Sequence, residues 1–464
     1  MTGLQKWVGD RAFYRRLFAV MIPILIQNGI TNFVDMLDNV MVGRVGDVEM
    51  AGVTVANQLL FVFNLCIFGA VSGAGIFGAQ FAGTEDHKGV RNAFRFKIVT
   101  VSVLTILGVL VFLFFGQPLI SLYLKGEGDP ANAVASLSFG WQHMLVMLIG
   151  LFPFALSQSY SGTLRETGNT VPPMIAGLIA VGINLVLNYL LIFVCRLSVV
   201  GAAIATVISR FAELGIMVVW TNRHAAANPF IIGAFRSLRI PRTLAKNILA
   251  KTLPLMLNET MWAGGMAVMN QCYSVRGLHV VNANSICQTF FQVFSVAFMA
   301  VGVSIGILVG QRLGAGEVKR AQEEANKLIA FSILISLVMG ALFAVGAAFI
   351  PMIYKTDDAT RHLATQLMQV GALIMPFEAF VNGAYFTLRS GGKTFITFLF
   401  DSGFVWSICV PVAFLLSRFT AIPILPLYAL CQGMNLIKCG IGFFFLKQGK
   451  WLVNIVNRHK EPSV

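Results

Sequence analysis

The chain has 464 residues, 57% of them hydrophobic and 12% charged, with a net charge of +14. A soluble domain carries about 25% charged residues. Here apolar runs of about twenty residues recur from end to end, each long enough to cross the ~30 Å hydrocarbon layer as a helix. The composition excludes a water-soluble fold and predicts an all-α polytopic membrane protein embedded in the lipid bilayer.

In chain order, the first apolar run, 17–34, follows Lys6, Arg11, Arg15 and Arg16. It has the charged and apolar parts of a secretory leader. The run is long, however, and no small-residue cleavage site follows it, so an uncleaved first helix is expected. Twelve helices are predicted, at 17–43, 51–82, 98–118, 137–161, 174–195, 202–222, 252–273, 284–311, 328–350, 363–386, 394–416 and 424–446. An even number puts both termini on one side. The segments on that side hold 25 of the 34 Lys and Arg residues, those on the other side hold 7, and Arg210 and Lys438 lie within helices. Basic residues concentrate in cytoplasmic segments, so a plasma-membrane protein with both termini cytoplasmic is expected. The same rule accounts for the charge without a nucleic-acid partner. The seven cysteines form no C-x-x-C pair and mostly fall in apolar helices. They read as small hydrophobes, with neither a disulfide framework nor a zinc site.

Residues 23–83 align with 254–314 without a gap. Pro23 meets Pro254, Gly46 meets Gly277, Gly75 meets Gly306, Gln80 meets Gln311 and Gly83 meets Gly314. Further on, TLRETGNT at 163–170 aligns with TLRSGGKT at 387–394. These matches fall at helix breakers and loop boundaries, where Pro and Gly set backbone geometry. The expected organisation is an N-terminal lobe (1–222, helices 1–6), a cytoplasmic loop (223–251) and a C-terminal lobe (252–464, helices 7–12). Six helices per half make the repeats parallel, related by a pseudo-twofold axis along the membrane normal. A cleft between two such lobes suits alternating access. A two-lobed chain can build such a pathway alone, so a monomer is expected to suffice.

A charge inside the bilayer costs ~2.5–3.5 kcal/mol on insertion scales and defaults to a functional candidate. Two sets have a structural explanation. Arg210 and Glu213 are spaced i,i+3 and can pair on one helix face; Asp401 and Lys438 lie at similar depth on successive helices. Glu259, in TLPLMLNETMWAGGM, and Glu378, in LIMPFEAFVNGAYF, have no basic residue near them on their own helices. Burial disfavours the charge of such a carboxylate. It can exchange a proton, or ionise and hold Na⁺ with neighbouring oxygens, and either property couples transport to an ion gradient. Asp35 and Asp38 on helix 1 stand one turn apart and can share a proton, although Asp38 is near the helix end and also reads as interfacial. Asn184 and Asn188 on helix 5 share a face. They read equally as interhelical glue and as oxygen donors to a cation, and Asn28 on helix 1 is a further neutral candidate.

Residues 73–78, GAGIFG, fit G-x-G-x-x-G, but no strand precedes them; close helix packing explains the small residues better than a nucleotide. Asn258-Glu259-Thr260 fits a glycosylation sequon but falls inside an apolar run. No H-E-x-x-H, Walker A sequence or nucleophile–base triad is present. An enzyme and a protein driven directly by ATP are therefore not expected, nor is any cofactor.

FVDMLDNVMVGRVGDVEMAGVTVANQ at 33–58 resembles the first-helix signature of multidrug and toxic compound extrusion (MATE) transporters, with Asp38, Val42, Gly43 and Gly46 at its centre. GAQFAGTEDHKGVRNA, TLRETGNTVPP, NLVLNYLLIF and GQRLGAGEVKRA resemble other family segments in the expected order, over roughly 15–450. The resemblance implies export of small organic, often cationic, compounds in exchange for H⁺ or Na⁺. By match it places Asp38 on the family's first-helix carboxylate and Asn184 on the helix-5 asparagine. Glu259 and Glu378 fall on the acidic positions of NorM-like members. Asn188 stands where many members carry Asp, which shifts weight from the N-terminal lobe to Glu259 and Glu378. The rival reading is a flippase for lipid-linked sugars or peptidoglycan precursor. A pyrophosphate cleft calls for Arg and Lys, whereas the intramembrane charges here are mostly acids.

Overall fold

The computed structural model describes residues 7–43, 46–124, 130–354 and 356–456. Among the described residues the chain is all-helical, with twelve long helices. In our labels, the first six are α1 (Arg11–Gly43), α2 (Asp47–Gly83), α3 (His87–Leu124), α4 (Pro130–Glu166), α5 (Val171–Val194) and α6 (Ser198–Arg223). The second six are α7 (Arg242–Ser274), α8 (Leu278–Gly314), α9 (Val318–Gly346), α10 (Asp358–Ser390), α11 (Thr394–Phe419) and α12 (Ile424–Gln448). Ten of them are long and apolar enough to cross a membrane. The other two, α1 and α7, carry the repeat-equivalent prolines, Pro23 and Pro254.

Most helices extend beyond the apolar runs. The third begins at His87 rather than at 98 and the ninth at Val318 rather than at 328. Hydropathy marks the lipid-crossing part, but the backbone goes on satisfying its own hydrogen bonds past it. The outer surface is correspondingly apolar, with Phe114 and Leu373 each 74% exposed on long helices. Such faces are stable against hydrocarbon and a liability in water.

The chain forms two compact units. One comprises Ile26–Gly78 and Asp86–Met256. Its core joins α2, α3 and α4 through Leu60, Phe63, Ile67, Val101, Met144 and Leu151. The other comprises the described residues of Met1–Leu25, Ala79–Glu85 and Leu257–Val464. Here α10 packs on α8, α9 and α12. One apolar cluster of this unit includes Phe343, Met368 and Met375; a second joins Leu17 and Ile24 of α1 to Ile305 and Leu328.

Within the second unit, the ends of α2 and α8 meet reciprocally at the repeat-equivalent glycines. A Cβ on Gly83 would overlap the carbonyl oxygen of Gln311, and one on Gly314 would overlap that of Gln80. Only a residue without a side chain permits that approach. The Gln80 amide then donates to the carbonyl oxygens of Ser390 and Val453 (3.0 and 3.1 Å) and accepts from the Ile455 N–H (2.9 Å). Gly83→Leu is expected to cost about 1–3 kcal/mol through overpacking. A lowered melting temperature of the detergent-purified protein would register it, and an unchanged one would refute the crossing.

Candidate functional site

Several charged and polar groups of the second unit converge on α10. Glu378, Asn382, Tyr385 and Arg389 recur at i, i+4, i+7 and i+11, one face of a helix. Pro376 lies in the same helix two residues before Glu378. Asn258 and Glu259 come from α7, Asp401 and Ser402 from α11, and Asn435 and Lys438 from α12. Asp401 and Ser402 sit in a π-helical turn, Leu399–Gly403, inside α11. Such a turn loosens the regular backbone ladder, and the Ser402 N–H donates to Asn258 Oδ1 at 3.2 Å.

Hydrogen bonds link Glu259, Tyr385, Asn258, Asp401 and Lys438 in one path, and a separate bond joins Glu378 to Asn435. The Tyr385 hydroxyl donates to Glu259 Oε1 at 2.9 Å. Asn258 Nδ2 donates to the Tyr385 hydroxyl at 3.3 Å and to Asp401 Oδ2 at 3.0 Å. Lys438 Nζ donates to Asp401 Oδ1 at 2.6 Å and lies 5.4 Å from the Phe400 ring centroid. Glu378 Oε1 accepts from Asn435 Nδ2 at 2.5 Å. Asn435 and Lys438 are i,i+3 on α12, so one face presents an amide to Glu378 and an ammonium to Asp401.

No hydrogen bond joins Glu259 to Glu378 among the described residues. Asp401 lies within electrostatic reach of both; Arg389 acts on Glu259 and Lys438 on Glu378. The Arg389 guanidinium lies 5.9 and 5.2 Å from the ring centroids of Tyr385 and Phe386. The Asp401–Lys438 pair is thus connected to Glu259 through Asn258 and Tyr385. Sequence reading, which treats the pair as a separate structural feature, does not reveal that connection.

Glu378, Asn382, Asn435 and Lys438 line a cavity of about 210 Å³ whose other walls include Trp262, Met266, Phe291 and Phe298. Pockets for drug-sized ligands run to ~300–1,000 Å³. A water takes about 30 Å³, so this cavity suits an ion with a few waters. Asn382 Oδ1 is buried here without a hydrogen-bond partner, seated where a Cβ on Gly302 would stand. A carboxylate, an unpaired carbonyl oxygen and room for water fit a monovalent cation, Na⁺ or a proton carried on Glu378. Among the described residues, no group of three or more His, Cys, Asp or Glu side chains is arranged to hold a metal ion.

The first unit holds the remaining candidates. Asn188 Nδ2 donates to Asn184 Oδ1 at 3.0 Å, and Asn184 Nδ2 to Thr206 Oγ1 at 3.3 Å, so the two amides bridge α5 and α6. Asn28 is half-buried on α1. Asp35 and Asp38 fall on α1, but their side chains lie outside the described residues. Arg210 lies over Phe154, 4.9 Å from the ring centroid, and donates to the Gly150 carbonyl at 3.4 Å. Glu213 is within electrostatic reach of Arg210 and Arg165.

Sequence reading misses a tight, buried charge pair of this unit. Lys97 Nζ is 2.6 Å from Glu166 and 3.0 Å from Thr163 Oγ1, and Lys97 is 0% exposed. A Cβ on Gly75 or Gly78 would collide with the Glu166 carboxylate, and one on Gly73 with Thr252. The glycines of the G-x-G-x-x-G stretch therefore admit a carboxylate and a neighbouring helix. The signal was available: Glu166 stands beside Arg165 in the repeated TLR block, at a helix end where the repeat carries Ser390.

Long helices with apolar outer faces and charges clustered within them define a multi-pass membrane protein. The MatE family model matches residues 23–190 and 254–415, the two stretches beginning at the repeat-equivalent prolines. The chain belongs to the MatE family, which comprises transporters rather than enzymes. It is 23% identical over 453 residues to a probable multidrug resistance protein NorM of Thermotoga maritima, covering 94% of this chain and 93% of that protein. It is also 23% identical to the multidrug resistance protein MdtK of Pectobacterium atrosepticum, covering 87% of each. A solved outward-facing MATE family transporter of the MOP superfamily has a TM-score of 0.86 at 17% identity, over 97% of this chain and 99% of that one. That likeness establishes a shared fold.

Proposed function

We propose that this transporter is a secondary antiporter that exports small organic, often cationic, compounds in exchange for H⁺ or Na⁺. In this reading the N-terminal lobe (1–222) and the C-terminal lobe (252–464), joined by 223–251, alternate access from a plasma membrane whose cytoplasmic side carries both termini. The carrying observation is the pair of buried carboxylates Glu259 and Glu378 on helices of one unit, Glu378 lining a cavity of about 210 Å³. It concentrates negative charge where lipid supplies no solvent, so cation entry and loss change its energy strongly. The names of the relatives, multidrug resistance proteins, support the substrate class. Three acids against two bases argue against a pyrophosphate cargo, which calls for the opposite balance.

The test is efflux of a fluorescent cationic dye from proteoliposomes under a pH gradient and a Na⁺ gradient imposed separately. One gradient is expected to drive export. Failure of both, with folded protein, would overturn the reading and favour a lipid-linked cargo.

A further inference from the structure

The cluster around α10 contains more fixed positive charge than an ion site requires. Its ionisable acids are Glu259 on α7, Glu378 on α10 and Asp401 on α11. Its bases are Arg389 on α10, whose guanidinium lies 5.9 Å from the ring centroid of Tyr385, the residue bonded to Glu259, and Lys438 on α12, bonded to Asp401 and lining the cavity with Glu378. The other titratable groups packed here include Tyr273, Tyr385, Tyr428, Cys409 and Cys431, hydroxyls and thiols that carry no charge near neutral pH. With every acid ionised, the cluster bears one net negative charge.

Uncompensated charge away from water is costly, and a pair that loses one partner leaves the other exposed to the full desolvation penalty. Lys438 is 6% exposed and its ammonium is 2.6 Å from a carboxylate, so it is committed to this cluster. It occupies one of the places a mobile cation would otherwise take.

We propose that Lys438 is a resident counter-cation that fixes the stoichiometry of the site: with Arg389 it balances two of the three carboxylates, leaving one monovalent cation to be exchanged per cycle. The inference rests on the reading of the carboxylates as the coupling site. Lys438→Met would leave Asp401 without its cation, and the cluster would then take up two. Lys438→Met combined with Asp401→Asn removes one charge of each sign and returns the demand to one.

The experiment measures the limiting dye gradient in voltage-clamped proteoliposomes at zero potential. Ethidium is the substrate, and the gradient that drives export is set at tenfold. Because the limiting gradient scales as the driving gradient raised to the stoichiometry, wild type is expected to reach about 10-fold and Lys438→Met about 100-fold. The double variant is expected to return to about 10-fold, and it serves as the test if the single variant does not fold. A Lys438→Met limit equal to wild type, or a double variant that departs from it, would overturn the inference. If Glu259→Gln and Glu378→Gln abolish coupling while Lys438→Met keeps the wild-type limit, only the role of the lysine fails. If both glutamine variants keep that limit, the coupling site itself is wrong.

Discussion

Glu378→Gln is expected to lower gradient-driven export on the order of 100-fold, the equivalent of ~3 kcal/mol of coupling free energy between ion and substrate. Glutamine has the shape of glutamate and can still accept the hydrogen bond from Asn435 Nδ2. What it cannot do is change charge. The fold and the cavity should therefore persist while the site stops responding to the cation. Glu259→Gln should act in the same direction, because the Tyr385 hydroxyl can donate to its amide oxygen as it does to the carboxylate. Efflux rates in proteoliposomes, normalised to folded protein, give the number. Dye equilibration without a gradient gives the control, because uncoupled passage should survive. Wild-type rates in both variants would make the carboxylates structural.

The second large effect is in the other unit. Glu166→Ala leaves the ammonium of Lys97, fully buried and bonded to that carboxylate at 2.6 Å, with the Thr163 hydroxyl as its remaining hydrogen-bond partner among the described residues. Removing one partner of a buried pair costs about 3–5 kcal/mol, a large share of the stability of most folds. It also empties the space that Gly75 and Gly78 leave for the carboxylate. Loss of detergent-stable protein is expected, read as the monodisperse fraction by size exclusion. Lys97→Met with Glu166→Gln removes both charges and should recover much of it. If Glu166→Ala alone behaves as wild type, the pair contributes nothing.

Much of this architecture was legible in the sequence. Hydropathy located twelve helices because the bilayer demands continuous apolar runs. The repeat was legible in Pro23, Pro254, Gly83 and Gly314, because close approach and helix geometry tolerate few alternatives there. Glu259 and Glu378 stood out because a lone acid in an apolar run is costly. Their partners did not. Asn258, Tyr385 and Asn435 are ordinary in membrane helices, and they reach residues 57 to 143 positions away in the chain. Lys97 and Glu166 were obscured because each lies at the edge of an apolar run, where a charge usually meets water. Helix α3 begins ten residues before Lys97, which carries that lysine into the packed interior.

The most direct measurement is the affinity of the purified protein for a fluorescent cationic dye, by anisotropy, across pH and Na⁺ concentration. Exchange requires that the coupling cation and the dye weaken each other's binding by the same factor. The account predicts that dye affinity in the wild type falls by about tenfold or more as the coupling cation is raised, and that Glu259→Gln/Glu378→Gln abolishes the dependence. A wild-type affinity indifferent to both cations, or a dependence unchanged in the double variant, would contradict it.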